Sequence, residues 1–336
     1  MVKLISHLLV ALVFFVALVG AVVYYAWLPT GTMTIHNEIV SQDPLSLKKP
    51  DQRIKQLTVV TYNIGYAYGL ENNKGGRLTK SDVTRNLLQM IDALRQSNPD
   101  ILFLQEVDFH SRRTYDINQA VLIANALNMP YSAHSLTWDH TYLPWPFWPI
   151  SSHYGRVVSG QVVMSRFPIV SQDVLVFDKP QSNPFWYNWF YLDRVVQKIT
   201  LLINNQRYSV FHVHLEAFDE KARQQQTARL SRWVSENRET ALLAAGDFNS
   251  TTNIGPSLSI REANELLASK VFLKTLEKET LLTNAETANL LTYPSDLPQM
   301  KLDHIFYSSK LKPVKTTVLN SNASDHAAVL STFKLK

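Results

Sequence analysis

The sequence predicts an α/β fold in which two packed β-sheets are flanked by helices and preceded by one N-terminal transmembrane helix. Three observations support this prediction. Short apolar, β-branched runs alternate along the chain with segments of helical hydrophobic spacing, as in layered α/β domains. An uncharged apolar run from Leu8 to Leu28 opens the chain. Acidic, amide and imidazole side chains follow several predicted strands, where a rigid sheet can aim them.

The first apolar run has the length of a membrane span. At about 1.5 Å per residue, a helix from Leu8 to Leu28 crosses the roughly 30 Å hydrocarbon core of a bilayer. A cleavable signal peptide has a shorter apolar core and a small-residue cleavage site, and no clear site of that kind precedes Pro29. The aromatic residues Tyr24, Tyr25 and Trp27 are typical of a membrane interface. A buried core helix is disfavoured by this length and terminal position.

The distribution of basic residues predicts the orientation of this span. Lys3 and the terminal amine precede it, whereas the nearest basic residues after it are Lys48, Lys49 and Arg53. The positive-inside bias therefore favours an inside N-terminus, a single-pass membrane protein and an extracytoplasmic globular domain. The residues after the span lack periodicity and contain prolines, which predicts a tether. The predicted organisation is a transmembrane signal anchor over 1–30, a tether over 31–55 and a catalytic domain over 56–336.

The first elements of the globular part are the clearest. Leu57–Tyr62 is short and β-branched, which predicts a strand. Apolar residues from Val83 to Leu94 recur at helical spacing behind the candidate caps Thr79 and Ser81. The break at 98–100 ends this helix, and Ile101–Leu104 reads as a second buried strand. Further strands are predicted at 161–164, 195–203, 208–214, 241–245, 304–307 and 327–333, and further helices at 118–127 and 220–237.

Two aromatic segments lack the spacing of a helix. Trp138–Trp148 is interrupted by prolines, and Phe185–Tyr191 is almost continuously aromatic. Both predict irregular loops. Such rings partition well into the headgroup region of a bilayer, although they also suit a folded lobe that buries its own rings, or base stacking.

The composition excludes some chemistry and leaves other classes open. The chain has 336 residues, enough for one large domain or two ordinary ones, and 46% are hydrophobic. Cysteine is absent, which excludes disulfides, thiolate metal sites and thiol nucleophiles. The formal net charge of +5 is compatible with nucleic acid, an anionic membrane surface or neither. Charge alone therefore does not select a partner.

Polar residues at the predicted strand ends point to phosphate and metal chemistry. Carboxylate and amide oxygens are the ligands that Mg²⁺ or Mn²⁺ prefers, and a histidine oriented by a carboxylate is a common general base. His212 and His214 are two positions apart on one strand and therefore share a face. Each of these short motifs is weak evidence by itself, and the prediction depends on finding the whole set in order. The set is Asn63, Gln105-Glu106, His212 and His214, Asp247 and Asn249, Asp303-His304 and Asp325-His326.

In this order the motifs resemble the endonuclease/exonuclease/phosphatase superfamily, which includes DNase I-like proteins. The similarity extends from about Leu57 to the C-terminus. It implies a four-layer α/β sandwich and Mg²⁺-dependent (or Mn²⁺-dependent) hydrolysis of phosphoester bonds. The motifs are Tyr62-Asn63, Leu104-Gln105-Glu106-Val107, the run from Gly160 to Ile169, His214-Leu215, Gly246-Asp247-Phe248-Asn249, Leu302-Asp303-His304-Ile305 and Ser324-Asp325-His326.

The resemblance also implies roles for individual residues. Glu106 is the expected principal metal ligand, with Asn63 and Asp325 on the metal side. His326, oriented by Asp303, is the expected base. The expected phosphate-binding and catalytic residues include Asp247, Asn249 and His214. Arg194 is a further candidate for substrate binding because it follows the second aromatic segment, a position that equally suits a surface arginine. Many members carry Asn where this chain has His212, so its role stays open between phosphate donor and packing.

The substrate is open among three classes of phosphoester. The predicted span favours a membrane phospholipid or sphingolipid, and His214-Leu215-Glu216-Ala217 looks like the sphingomyelinase branch. On this reading the bilayer is a partner, and four tryptophans contact the interface: Trp145, Trp148, Trp186 and Trp189. The alternatives are a nuclease acting on DNA or RNA and a soluble inositol phosphate phosphatase. A non-catalytic binding module is disfavoured because the motif residues are present. The bond cleaved and the oligomeric state are not fixed by sequence.

Overall fold

Two mixed β-sheets lie face to face in the computed structural model of this chain, and helices cover their outer faces. The structure describes residues 2–31, 38–41, 53–72, 74–251, 255, 260–285, 290–319 and 321–336. The helices are α1 (Val2–Trp27), α2 (Lys80–Ser97), α3 (Gln119–Leu127), α4 (Phe185–Asn188), α5 (Glu220–Glu236) and α6 (Ile260–Thr280). The strands are β1 (Glu38–Ser41), β2 (Gln56–Asn63), β3 (Ile101–Asp108), β4 (Tyr131–Leu143), β5 (Gly155–Ser165), β6 (Ile169–Val176), β7 (Val195–Ile203), β8 (Gln206–His214), β9 (Ala241–Asp247), β10 (Thr283–Asn284), β11 (Asp303–Tyr307), β12 (Leu311–Leu319) and β13 (Ala328–Leu335).

The two sheets repeat one arrangement around a central parallel pair. The first sheet has the order β1-β4-β5-β3-β2-β13-β12, and the second has the order β10-β11-β9-β8-β7-β6. Strands β2 and β3 are parallel and joined through α2, and β8 and β9 are parallel and joined through α5. The other pairings are antiparallel. Because β2, β3, β8 and β9 form two parallel pairs, each pair presents its carboxyl ends together at one edge.

Three apolar clusters separate the four layers of the sandwich. The central cluster fills the space between the sheets and includes Leu57, Phe103, Val210 and Ile305. A second cluster packs α2 and α3 on the first sheet. The third packs α5 and α6 on the second sheet. The order of layers is therefore helices, sheet, sheet, helices, which confirms the predicted four-layer sandwich.

Local sequence signals explain where the helices begin and end. Thr79 and Asp82 form a capping box at the start of α2. The side chains of Asn118 and Asp219 accept backbone N–H groups at the starts of α3 and α5. Asn98 ends α2 in the left-handed conformation (φ 46°), which asparagine tolerates better than most residues.

Most predicted elements are present, with corrections in the aromatic and connecting segments. Trp138 lies within the long strand β4, so only the part of its segment after Leu143 is a loop. Phe185–Asn188 forms one helical turn rather than an irregular loop. Within the predicted tether, Glu38–Ser41 pairs with the edge of the first sheet, and residues 32–37 and 42–52 lie outside the described part of the chain. Strands β1, β4, β6, β10 and β12 and helix α6 were not among the predicted elements.

The N-terminal helix is joined directly to the sandwich. Helix α1 is long and apolar enough to span a membrane, although a signal sequence meets the same criterion. The carbonyl of Leu28 accepts the backbone N–H of Thr141 at 2.8 Å, and His140 Nδ1 contacts the carbonyl of Trp27 at 3.0 Å. These bonds satisfy carbonyls that a helix end otherwise leaves without partners. They hold the end of α1 against β4.

Candidate active site

The polar residues predicted at strand ends meet at one edge of the sandwich. Asn63 ends β2, Glu106 lies near the end of β3, and His214 and Asp247 end the parallel pair β8 and β9. Asp303 begins β11 directly opposite Asp247. Acidic, amide and imidazole side chains from both sheets therefore lie together on one surface at this edge, which we call the floor. The predicted polar site residues that line the cavity here are Glu106, Arg194, His214, Asp247, Asn249, Asp325 and His326.

A bulge in β3 turns Glu106 towards the site. The register between β3 and β5 shifts between Leu104 and Val107, and Glu106 has the left-handed φ of 53°. A left-handed backbone is unusual for a glutamate and occurs where surrounding contacts enforce it. Here the preceding residue supplies such contacts, because Gln105 Nε2 lies 2.6 Å from His212 Nε2 and 3.2 Å from Thr61 Oγ1. The bulge and the Gln105 contacts together aim the Glu106 carboxylate.

His326 is held between two aspartates. Its Nδ1 donates to Asp303 Oδ2 at 2.9 Å, and its Nε2 lies 3.8 Å from Asp247 Oδ2. Burial alone lowers the pKa of His326, but the Asp303 charge and hydrogen bond and the Asp247 charge hold it well above the usual range. The Tyr293 ring packs on the imidazole with centroids 4.8 Å apart. A strongly basic, oriented imidazole therefore presents Nε2 to the site.

Asp247 is placed by its own motif. Asn63 Nδ2 donates to Asp247 Oδ2 at 3.1 Å, and the backbone N–H of Asn249 donates to Asp247 Oδ1 at 2.8 Å. Burial raises the pKa of Asp247. The motif needs glycine at Gly246, where φ is 149° and a Cβ would lie 1.8 Å from the carbonyl oxygen of Val213. Parallel strands β8 and β9 can therefore approach closely enough to bring His214 and Asp247 together.

His214 and Arg194 form a second buried group on the opposite wall. Arg194 Nη1 lies 2.5 Å from His214 Nε2, and that imidazole nitrogen is 3.7 Å from Asp247 Oδ2. Burial, with the Arg194 charge, lowers the pKa of His214 well below its usual range, so the ring is neutral and accepts from Arg194. Glu216 Oε2 faces Arg194 Nε at 3.7 Å, and Tyr191 donates to Glu216 Oε1 at 2.6 Å. The positively charged guanidinium of Arg194 is therefore held in a fixed position beside the floor.

The acidic residues next to Asn72 fit a divalent cation. Asn72 Nδ2 donates to Glu106 Oε2 at 3.1 Å and to Asp325 Oδ2 at 3.2 Å, so one amide links two carboxylates. Burial and the neighbouring Asp325 charge raise the pKa of Glu106. Adjacent carboxylates, here the partly buried Glu106 and the buried Asp325, supply the oxygen ligands that Mg²⁺ and Mn²⁺ take, and a cation there would relieve their repulsion.

Another donor group lies close by, in the described part of the chain. One ligand atom from each of Asp247, Asp303 and His326 falls within 4.8 Å of the others. His326 and Asp303 are already hydrogen-bonded to each other at 2.9 Å. Glu106 and Asp325 are therefore the predicted metal side, and Asp303 and His326 the predicted proton-transfer side. Asn63 contacts Asp247 rather than Glu106, so it lies between the two groups.

An apolar cavity of about 860 Å³ rises above this floor. Trp145, Trp186 and Trp189 contribute to its wall, together with Tyr154 and Phe190. Trp148 lies outside the wall and is 78% exposed. Polar residues at the bottom and aromatic rings at the sides are the pattern of a site that binds a polar group with an apolar neighbour.

His212 lies below the floor rather than in the cavity. Its Nδ1 contacts Gln197 Oε1 at 2.8 Å and therefore carries the proton, so Nε2 accepts from Gln105. Its ring meets Phe103 edge-on in the core between the sheets. The sequence left His212 as either a phosphate donor or a packing residue. Its position in the core supports the packing role, in which its hydrogen bond holds Gln105 in place.

Acid should therefore destabilise the wild type relative to the His212→Asn variant. Burial lowers the pKa of His212 to about 3, whereas an unfolded histidine titrates near 6.5. The unfolded chain thus binds the proton first, and the stability that neutral His212 contributes is lost as pH falls below about 6.5 towards about 3. Denaturant unfolding of both proteins in detergent across this range measures the effect. A constant difference in the free energy of unfolding would contradict it.

A family model described as the Endonuclease/Exonuclease/phosphatase family matches residues 60–326, most of the chain. The chain belongs to this family. Its members are phosphoester hydrolases that generally depend on a divalent metal, and the chain is accordingly a phosphoester hydrolase. No curated protein matches the chain in sequence.

Solved structures of the family share the fold. An endonuclease/exonuclease/phosphatase from Beutenbergia cavernae is 20% identical, with a TM-score of 0.56 over 84% of this chain and 72% of its own. The mannosyl-6-phosphatase Bt3783 of Bacteroides thetaiotaomicron is 16% identical, with a TM-score of 0.55 over 82% and 98%. D. rerio TDP2, complexed with a single-strand DNA product, is 14% identical, with a TM-score of 0.52 over 83% and 99%. At these identities the likeness shows the fold alone, and the sphingomyelinase branch stays a prediction.

Sequence reasoning missed three residues that this family member places at the site. Asn72 links the two metal-side carboxylates from a loop without any periodic signal. Tyr293 supports His326 from another loop. Glu216, part of the motif His214-Leu215-Glu216-Ala217, pairs with Arg194 at 3.7 Å. Its position two residues after His214, at the end of a strand, was the available signal.

Proposed function

We propose that this protein is a membrane-anchored, Mg²⁺-dependent phosphodiesterase that hydrolyses a phosphoester bond of a membrane phospholipid or sphingolipid. One observation carries the proposal. The polar floor with His326 and Asp247 opens into an aromatic cavity, and a helix long enough to span a membrane is bonded to the strand that leads into the wall of that cavity. A headgroup phosphate fits the floor and its apolar neighbour fits the walls.

The floor supplies the groups that phosphoester hydrolysis needs. Glu106 and Asp325 would hold the metal ion, oriented by Asn72, and the ion supplies neutralisation of phosphate charge. The neutral form of His326 takes a proton from the attacking water at Nε2, because Asp303 accepts from Nδ1–H and so fixes the tautomer with Nε2 available. The Asp303 and Asp247 charges, which raise the pKa of the ring, stabilise the imidazolium that forms. Arg194 provides a fixed positive charge for the phosphate oxygens, and Glu216 keeps it in place. Asn249 is kept beside Asp247 by its backbone N–H bond.

The domain is proposed to lie on the extracytoplasmic side. Lys3 precedes the span and the next basic residues are distant, which favours this orientation. Phe147, Trp186, Trp189 and Phe218 line the cavity and are exposed. Two further exposed rings adjoin them: Trp148 follows Phe147 in the chain, and Phe185 packs on Trp189 with ring centroids 5.3 Å apart. An apolar exposed patch of this kind marks a membrane or partner contact rather than ordinary surface. We define these six residues as the aromatic rim.

A substrate panel tests the proposal with the full chain in vesicles and Mg²⁺. The substrates are sphingomyelin, phosphatidylcholine, phosphatidylinositol, DNA, RNA and inositol phosphates. We expect one of the lipids to be hydrolysed fastest, and we expect the His326→Ala variant to be inactive on the same lipid. Faster hydrolysis of DNA, RNA or an inositol phosphate than of every lipid would overturn the lipid assignment.

Removing the aromatic rim should separate membrane contact from chemistry. We expect Trp148→Ser, Trp186→Ser and Trp189→Ser together to lower vesicle lipid hydrolysis at least about tenfold relative to a small soluble phosphodiester, because the rings contact the interface. Trp145 is left in place, since it packs partly buried against Leu143 and Tyr154.

The matched control removes exposed apolar side chains far from the cavity. Leu88 on α2 and Val121 on α3 are about half exposed, and changing both to serine should leave the vesicle-to-soluble ratio unchanged. Equal ratios for the rim variant and this control would show that the rim has no part in reaching a lipid. Circular dichroism should show cooperative unfolding of both variants, so that a lower ratio is not attributed to a protein that has lost its fold.

A further inference from the structure

We infer that the last turns of α1 form part of the substrate entrance, so that a lipid reaches the catalytic floor laterally, from the bilayer and along this helix. The inference rests on the proposed function and goes beyond it, because it assigns the anchor a place in substrate binding. A helix that served only as an anchor would need no contact with the cavity.

The first support is the position of Val23. It lines the same cavity as His326, Asp247 and Trp186. Ala26, three positions later on the same helical face, is only 6% exposed. Val22 and Tyr25 lie on other faces and are 59% and 61% exposed. One face of the last turns of α1 therefore packs on the domain, and the others are free to face lipid.

The second support is the rigidity of the junction between α1 and the domain. The carbonyl of Leu28 accepts both the backbone N–H of Thr141 at 2.8 Å and its Oγ1 hydroxyl at 3.0 Å. His140 Nδ1–H donates to the carbonyl of Trp27 at 3.0 Å, and the backbone N–H of Thr30 donates to Asp139 Oδ1 at 2.9 Å. Three consecutive residues of β4 therefore hold the end of the helix. As a result, the part of the entrance that α1 forms has a fixed position relative to the domain.

The third support is the depth that this junction imposes. Val23 precedes Trp27 by one turn, so it lies about 6 Å further along the helix axis towards the bilayer centre. Tyr24 and Trp27 pack together with ring centroids 6.2 Å apart, and such rings settle at the interface. The entrance beside Val23 therefore lies at or below headgroup level. A lipid can bring its phosphate to the floor while its apolar chains stay beside α1.

The test compares one substitution at two adjacent positions of the full chain. Val23→Trp fills the entrance, whereas Val22→Trp places the same ring on the lipid-facing side. Vesicles contain sphingomyelin, phosphatidylcholine and phosphatidylinositol in equal parts, and the soluble probe is bis-para-nitrophenyl phosphate. We expect Val23→Trp to lower the vesicle-to-soluble ratio at least about tenfold, since added atoms in a filled contact must displace the ligand or the wall. Val22→Trp should leave both rates unchanged.

A cysteine pair covers the case in which Val23→Trp does not fold. The chain contains no cysteine, so Val23→Cys and Val22→Cys each create a single thiol by a small change. Each variant is alkylated in detergent with a bulky maleimide and then reconstituted. A label at position 23 should lower the vesicle-to-soluble ratio, and a label at position 22 should not.

The outcomes separate the inference from the proposed function. If the wild type hydrolyses a vesicle lipid and both positions behave alike, the entrance assignment is wrong and the lipid phosphodiesterase remains. If the wild type cleaves DNA, RNA or an inositol phosphate and no lipid, the proposed function and the inference both fall. A lower ratio only at position 23 supports the lateral route.

Discussion

Replacing His326 with alanine is expected to lower turnover at least about a hundredfold, the scale of a general acid or base. The imidazole is buried, hydrogen-bonded to Asp303 at 2.9 Å and directed at Asp247 across 3.8 Å. Its loss removes the proposed proton acceptor and leaves Glu106 and Asp325, the proposed metal side, in place. Steady-state hydrolysis of the preferred substrate, with metal held at saturation, measures the effect. Asp247→Ala should cost a similar factor, because Asp247 faces both His326 and His214.

His304 provides the matched control for this prediction. It follows Asp303 on β11, so sequence alone offers two Asp-His pairs from which to choose a base. The His304 ring points away from the cavity, with Nε2 2.8 Å from the carbonyl of Ser250 and Nδ1 3.1 Å from Asn284 Nδ2. We expect His304→Ala to lower the free energy of unfolding while costing far less turnover per folded molecule. If His304 were essential and His326 dispensable, the assignment of the two pairs would be reversed.

The strand-end motifs could be predicted because their signals are local. Ala241–Ala245 is short, apolar and followed by a glycine, and the side chains of Asp247 and Asn249 are separated by the two-residue period of a strand. The structure ends β9 at Asp247 and opposes it to Asp303. Parallel pairing then follows from the intervening helices, since a crossover returns the chain in the same direction. The catalytic edge is thus a consequence of patterns that each span fewer than ten residues.

The parts that sequence did not predict depend on long-range contacts. Asn72 reaches the metal side because the turn before it uses left-handed residues at Tyr66 and Ala67, which no periodicity signals. Strand β12 lies at a sheet edge with exposed residues such as Val314, so its burial pattern is weak. His212 lies in the core and His214 at the cavity, although both side chains are on the same face of β8. The alternation of a strand shows which residues share a face, but not which of them lies nearer the end of the sheet where the cavity is.

Removal of divalent metal is expected to abolish activity, and Mg²⁺ or Mn²⁺ should restore it. The proposed metal-side residues, Glu106 and Asp325, offer oxygen ligands, and the chain has no thiolate to favour a softer ion. Dialysis against EDTA, followed by titration with each ion, measures this dependence on the preferred substrate. Full activity after exhaustive chelation would refute the assignment of a metal site.

The Glu106→Gln variant tests the same site through stability as well as rate. Burial and Asp325 raise the pKa of Glu106 in the folded protein, so the ionised carboxylate costs stability at neutral pH when no cation is bound. A neutral amide removes that cost. Without metal the variant should therefore unfold at a higher temperature than the wild type. With Mg²⁺ the order should reverse, because the wild type binds the ion more tightly and therefore gains more stability from it than the variant does.

Glu71→Gln is the matched control, since Glu71 precedes Asn72 in the same loop but is solvent-exposed and pairs with Lys74 at 3.5 Å. It should follow the wild type both with and without Mg²⁺. In the activity titration, Glu106→Gln should need at least about tenfold more Mg²⁺ for half-maximal rate, a loss typical of an altered metal site. A purely structural Glu106 would behave differently: its amide variant would lose stability in both conditions and keep the Mg²⁺ response of the wild type.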